Sequence, residues 1–202
     1  MEVDVTTALP ENPTPAETDA TLMARSIVDR EAFVDIFDRH YGAVHRYLHR
    51  RLGRDLADDL ADETFLRAFA ARLSFEPRTE SALPWLYGIA GNLARRHRRT
   101  EERRLRAYAR SARDPTVELD DTAAASRADA AGSGPALAAA LASLDADERE
   151  VLLLTVLADL TNEQAADALG VPLGTVASRL HRARSHMRSA LASIEPRPTA
   201  KR

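Results

Sequence analysis

The sequence predicts an all-α protein built as two small helical domains on a flexible linker, and three observations predict it. Apolar residues recur at three- and four-residue steps over long stretches, and strand-length alternation is absent. Hydrophobic residues make up 45% of the chain but aromatics only 5%, so the core must come mainly from Ala, Leu and Val, a mixture that favours helices. Between two periodic regions lies an acidic, small-residue-rich stretch with no apolar stripe.

Residues 1–24 are polar and acidic and carry Pro10, Pro13 and Pro15, which predicts a disordered acidic tail. The first domain spans 25–107. Phe33, Ile36, Phe37, Tyr41, Val44, Leu48 and Leu52 share one helix face, and Gly53 ends that helix. A second helix follows with Ala57, Leu60, Ala61, Thr64, Phe65, Ala68 and Phe69 on its stripe. Leu73 to Ser81 breaks the period around Pro77 and forms a loop. Pro84 suits the first turn of a third helix, which turns Trp85, Leu86, Ile89, Ala90 and Leu93 inward and runs on into a basic end.

Residues 108–134 form the linker, and 135–194 the second domain. A short Ala-rich helix comes first. Asp145 precedes Glu148 by three, the spacing of a capping box, ahead of a run of leucines. Thr161 and Gln164 repeat that spacing at the start of the next helix, and Gly170 stops it. After the turn Val-Pro-Leu-Gly, the last helix runs from Thr175 to about Ile194, and 195–202 form a tail.

The net charge of −3 hides a strong segregation of sign. Gly91 to Arg113 holds nine Arg against two Glu, and Thr175 to Arg188 holds four Arg and no acid. The acids gather between Met1 and Ala20, in Asp55 to Glu63, and in Asp114 to Asp121. Local fields decide which surface a polyanion approaches, so two surfaces are open to nucleic acid. The absence of cysteine excludes disulfides and cysteine-ligated zinc and fits a reducing cytoplasm. No signal-like or membrane-length apolar run is seen, so neither cleaved secretion nor membrane insertion is expected.

On a wheel of about 100° per residue, Val176, Leu180, Ala183, Met187 and Leu191 form a dry seam. Thr175, Ser178, His181, Arg182 and Ser185 point the opposite way, with Arg179, Arg184 and Arg188 on the flanks. An ordinary surface helix also has a polar outer face, but it usually mixes signs. A helix, a glycine, a short turn and a one-signed second helix suit a major-groove reader. In the first domain, Phe75, Trp85, Tyr87 and Asn92 lie beside the basic run Ala94 to Arg110. Rings beside a basic track suit unstacked single-stranded bases, although most such rings are core. The acidic helix around Asp59, Asp62 and Glu63 would repel DNA and suits a protein partner.

Enzyme chemistry finds little support. His40, His45 and His49 come without an acidic partner at ligand spacing, so no metal site or cofactor is expected. A helix-turn-helix regulator with a helical effector domain stays open on these residues, but its symmetric dimer would not need the linker or the basic third helix.

At this point the sequence resembles the sigma-70 family, specifically the small extracytoplasmic-function (ECF) type. The residues that carry the resemblance are "DLADETFLRAF", "WLYGIAGNLARRHRR" and "LTNEQAADALGVPLGTVASRLHRARSHMR", in the family's order. The resemblance implies a non-catalytic specificity subunit that binds core RNA polymerase and directs promoter-specific initiation in the cytoplasm, at the nucleoid. It implies that 25–107 is sigma region 2, touching the β′ clamp through Asp59, Asp62, Glu63 and Phe65. Phe75, Asn92, Arg95, Arg96, Arg98 and Arg99 would melt and read the −10 element. It implies that 135–194 is region 4, meeting the β flap and setting Thr175, Ser178, Arg179, His181, Arg182 and Arg184 against the −35 element. An anti-sigma factor is implied as a further partner.

Overall fold

The structure, a computed structural model, describes residues 17–78, 80–111 and 134–192. The expected tail up to residue 16, most of the linker and the C-terminal tail lie outside them. Among the described residues every regular element is helical. The first domain comprises α1 (Asp19–Arg25), α2 (Ala32–Leu52), α3 (Arg54–Ala71), a 3-10 turn (Arg72–Ser74), α4 (Leu83–Arg96) and α5 (Arg98–Ser111). The second comprises α6 (Gly134–Ser143), α7 (Ala146–Val156), α8 (Asn162–Leu169) and α9 (Leu173–Ala192).

Gly53 joins α2 to α3 at φ 93° and ψ 176°, a region open in practice only to glycine. The chain therefore reverses within one residue and the two long helices pack along each other. Their apolar stripes, with Leu86, Ala90 and Leu93 of α4, form the first core. Phe65 is 4% exposed there, its ring 5.0 Å from that of Phe37.

The acidic tail ends earlier than the sequence suggests. Residues 19–25 are helix α1, with Leu22 and Met23 fully buried. Seven residues are too few to show a period, and tertiary contacts hold this helix. The buried Asp19 carboxylate accepts Arg39 Nη1 at 3.1 Å and the Ala82 amide at 2.8 Å, and it pairs with His40 Nε2 at 2.6 Å. Burial pushes this carboxyl up, but the Ala82 amide, His40 and Arg39 outweigh it and hold it below its usual value.

The expected third helix is two. The His97 amide bonds back to Ala94, and the Thr100 and Glu101 amides restart on the His97 carbonyl. The break turns α5 onto α6 of the second domain and brings Glu101, 2% exposed, to Arg51 of α2.

In the second domain the Thr161–Gln164 capping box forms as expected, and Gly170 closes α8 in the left-handed conformation at φ 63°. Asp145 caps α7 by accepting the Asp147 amide at 2.9 Å, but Glu148 does not complete a box. Helix α9 starts at Leu173, two residues ahead of the expected start, and buries Val176, Leu180, Ala183 and Met187.

The two domains touch. Helix α8 packs on α4 and α6 on α5. Two glycines of α4 allow the approach: a Cβ on Gly88 would stand 2.3 Å from the Ala168 carbonyl oxygen, and one on Gly91 2.6 Å from Glu150 Oε1. At the centre, Arg51 donates Nε to Glu101, Nη1 to Tyr47 and Glu150, and Nη2 to the second Glu150 oxygen, all at 2.7–2.8 Å. Arg149 donates to the carbonyls of Leu141, Ala142 and Leu144, and its Nη1 lies 3.6 Å from Glu101 and Glu102. Two buried arginines thus face two buried glutamates, so the cluster carries no net charge. Desolvation is costly for each ion and is offset only by this degree of hydrogen bonding. Burial works against the charge on Arg51, but Tyr47, Glu150 and Glu101 keep it protonated; burial also drives the Tyr47 phenol far up.

Candidate nucleic-acid interface

Helix α9 carries the first candidate surface. Its seam is buried against the second-domain core, so its outer face is fixed by packing. Ser178, His181, Arg182 and Arg184 are exposed there, and Thr175 is half-buried. The Ser178 hydroxyl donates to the Thr175 carbonyl at 3.0 Å, which leaves its oxygen free to accept.

Arg179 and Arg182 of α9 are held differently. Arg179 gives a terminal nitrogen, Nη2, to Asp147 of α7, and its side chain is only 20% exposed. It ties α9 to α7 and does not stand on the outer face. Arg182 instead lies with its Nε 3.4 Å from Glu148 Oε1, and its side chain is 59% exposed. The donor fork of an exposed guanidinium matches the O6/N7 edge of guanine.

The second candidate surface lies on the first domain. Phe75 is half-buried and its ring meets Trp85 edge to face at 5.2 Å. The pair lines a shallow groove of about 200 Å³ together with Ser74, Pro84, Asp167 and Gly170. The last two belong to α8 and its cap, and Arg78 of the loop bonds Asp167 at 3.1 Å. The second domain therefore stands on one rim of this groove. Asn92, Arg95, Arg96, Arg98 and Arg99 are all exposed, on either side of the α4–α5 break. Glu150 lies 3.8 Å from Arg95 Nε and Glu102 3.7 Å from Arg98 Nε, whereas Arg96 and Arg99 form no ion pair among the described residues. Tyr87 is buried, and burial raises its pKa.

The acidic face of α3 presents Asp59 and Asp62 in full and Glu63 in part. Asp62 accepts the Tyr41 hydroxyl at 3.0 Å, and Glu63 pairs with Arg67. Phe65, expected on this face, is turned into the core. Leu66, its neighbour, is 70% exposed beside the carboxylates and supplies the apolar surface there. The periodicity of the α3 stripe already placed Phe65 inward, and the same periodicity places Leu66 outward.

These features define a class: a helical protein with a helix-turn-helix on one domain and, on the other, a basic surface beside a pair of packed aromatic rings. The comparisons with known proteins agree. The model described as "Sigma-70 region 2" matches residues 36–104, and that described as "Sigma-70, region 4" matches 135–187. The "Probable RNA polymerase sigma-C factor" of Mycobacterium bovis is 39% identical over 134 residues, 66% of this chain and 68% of that protein. The "RNA polymerase sigma factor CarQ" of Myxococcus xanthus is 33% identical over 171 residues, 82% of this chain and 92% of that protein. The solved structure of CnrH, determined in complex with the cytosolic domain of CnrY, superimposes with a TM-score of 0.58 at 24% identity, covering 88% of this chain and 99% of that one.

The chain belongs to the sigma-70 family, in its ECF branch. It is a sigma factor acting in promoter-specific transcription, a non-catalytic specificity subunit of RNA polymerase. Among the described residues no helix is long and apolar enough to cross a membrane.

Proposed function

We propose that α9 reads the −35 element, that the α4–α5 basic surface with Phe75 melts and reads the −10 element, and that α3 docks on the polymerase. The observation that carries this is the outer face of α9. It exposes Ser178, His181, Arg182 and Arg184 over a buried apolar seam, with no acid in its own sequence from Thr175 to Arg188. Arg182 contacts a base through its terminal nitrogens, Ser178 and His181 flank it, and Arg184 grips phosphate. Arg179 supports the helix from behind. On the first domain, a flipped base stacks on Phe75 while Arg96 and Arg99 hold the strand backbone.

On α3, Asp59, Asp62 and Leu66 make a mixed acidic and apolar patch suited to a basic helix such as one of the β′ clamp; the second domain meets the β flap. An anti-sigma factor is the natural regulator; CnrH, which shares this fold, is bound to the cytosolic domain of CnrY in its solved structure.

Run-off transcription with core polymerase on a genomic promoter library, followed by start-site mapping, tests the reading. The expected result is a set of starts sharing two spaced elements, and loss of the upstream element's consensus with Arg182→Ala. Specific starts that share no upstream element would overturn the assignment of α9.

A further inference from the structure

We propose that α5 carries a phosphate track for the duplex immediately upstream of the −10 element, a straight row of Arg99, Arg103, Arg106 and Arg110. The inference rests on the α4–α5 surface being the −10 reader, and it extends that surface along α5 to residues with no part in reading bases. At about 100° per residue the four arginines fall within a sector of about 60°. The stretch from Arg99 to Arg110 covers about 16 Å of helix, the length of about five base pairs of duplex. All four residues are exposed. The sequence of this helix mixes signs, and the fold sorts them. Glu101 is buried against Arg51. Glu102 is largely covered, its Oε1 3.6 Å from Arg149 Nη1. Arg104 turns to α2 and donates to the Arg50 carbonyl at 3.0 Å. The row is what remains outside.

Among the described residues Arg99, Arg103 and Arg110 form no ion pair, and Arg106 meets only Glu102, at 3.8 Å. A solvated helix face normally intersperses both signs, and this one does not. Arg106 and Arg110 also form one wall of an open cleft of about 390 Å³. Ala139, Ala142 and Ser143 of α6 form the other wall, and no carboxylate lines it. Small side chains opposite two guanidiniums leave room for a sugar-phosphate. The placement of the row selects the ligand. Helix α5 starts at the basic end of α4 and packs on α6 of the second domain, so the row runs from one promoter-reading surface towards the domain that carries the other. The DNA between two such elements is duplex. A row of arginines alone offers no pattern of donors and acceptors for base edges. It suits phosphates, whose contacts position a protein without reading sequence. Each phosphate so neutralised releases counterions and steepens the dependence on salt.

The test uses the full chain in holoenzyme with core polymerase. Wild type and a triple variant (Arg103→Gln, Arg106→Gln and Arg110→Gln) are compared in binding to a promoter fragment at salt from about 50 to about 200 mM. Arg99 is kept, because it also belongs to the −10 surface. A second fragment carries uncharged methylphosphonate linkages over the about five base pairs upstream of the −10 element. Thermal unfolding reports the folding of each variant. On the natural fragment the variant is expected to lose about 0.9 of log–log salt slope per phosphate contact, so the fall in affinity across that salt range shrinks about 40-fold. On the uncharged fragment wild type and variant should bind alike. Equal slopes on the natural fragment, or an undiminished difference on the uncharged one, would overturn the proposal. So would a triple variant that retains less core polymerase, which marks a protein-docking face, or one that binds the promoter normally and loses its hold on the transcript, which marks an RNA track. Phe75→Ala is run alongside. If it leaves every −10 preference intact, the −10 reading fails and the inference with it; if it abolishes the preference while the triple variant behaves as wild type, the inference fails alone.

Discussion

Arg51 and Glu150 lie 99 residues apart in sequence and meet fork to fork, Nη1 and Nη2 of the guanidinium each 2.7–2.8 Å from one carboxylate oxygen. Both side chains are at most 3% exposed. One residue belongs to the first domain and the other to the second, so the contact joins sigma region 2 to sigma region 4. Glu101 completes it on the Nε side of Arg51.

Removing the arginine leaves two buried carboxylates without their nearest, hydrogen-bonded cation. Arg51→Met is therefore expected to destabilise the chain by about 3–5 kcal/mol, more than a surface ion pair ever contributes. Urea denaturation checks it. Neutralising the acids at the same time, with Glu101→Gln and Glu150→Gln, should recover part of the loss, because the unpaired charge and not the missing attraction is the main penalty.

Gly88 is a second point of close approach between the domains. A methyl group there meets the Ala168 carbonyl, which is backbone and has little room to yield. Gly88→Ala should raise intrinsic helicity and still part the domains. Hydrogen exchange is expected to speed up in α4 and α8 and along the groove beside Phe75, while the α2–α3 pair stays protected. Unchanged exchange in α8 would show that the helices can slide to absorb the methyl group.

Asp19 sets an acid limit on the first domain. Its carboxyl is held below the ordinary value of 3.8, so the unfolded chain binds its proton more readily than the folded one. The stabilisation is present in full above that value and is lost as pH falls through the lower, folded one. Asp19→Asn should accordingly lower stability at neutral pH, and the gap to wild type should close on acidification. Melting temperatures from pH 7 down to pH 3 show whether the two curves converge.

Phe65 and Leu66 are neighbours in sequence with opposite tasks. Phe65→Ala opens a core cavity and should cost about 3–5 kcal/mol of stability. Leu66→Ala should change stability by no more than about 0.5 kcal/mol and weaken binding to core polymerase. Asp62→Arg should act in the same sense, leaving DNA binding by the second domain unaltered. Polymerase pull-downs alongside melting curves separate the two effects; equal retention of polymerase by Leu66→Ala and wild type would remove Leu66 from the docking face.

Local signals in the chain carried much of this architecture. The stops at Gly53 and Gly170, the Thr161–Gln164 box and the seam of α9 stand as their spacing predicts, because each depends on residues within one or two turns of one another. The short α1 and the break at His97 were not legible, since both are fixed by partners far along the chain. Arg51, Glu101, Arg149 and Glu150 sit in charged runs that read as solvated surface. Nothing local marks which members of such a run will be buried.

By itself, then, the sequence determined the long helices other than the α4–α5 break, their apolar faces, the family, and the fact that one helix shows a cationic outer face. Only the tertiary structure decided how the charges were paired. It took Glu148 out of its capping box and gave it to His186 and Arg182 of α9, tied Arg179 to Asp147, and closed the two domains around Arg51. The reason is physical: helix periodicity is a short-range property of the backbone, whereas an ion pair forms wherever folding brings two side chains together out of water.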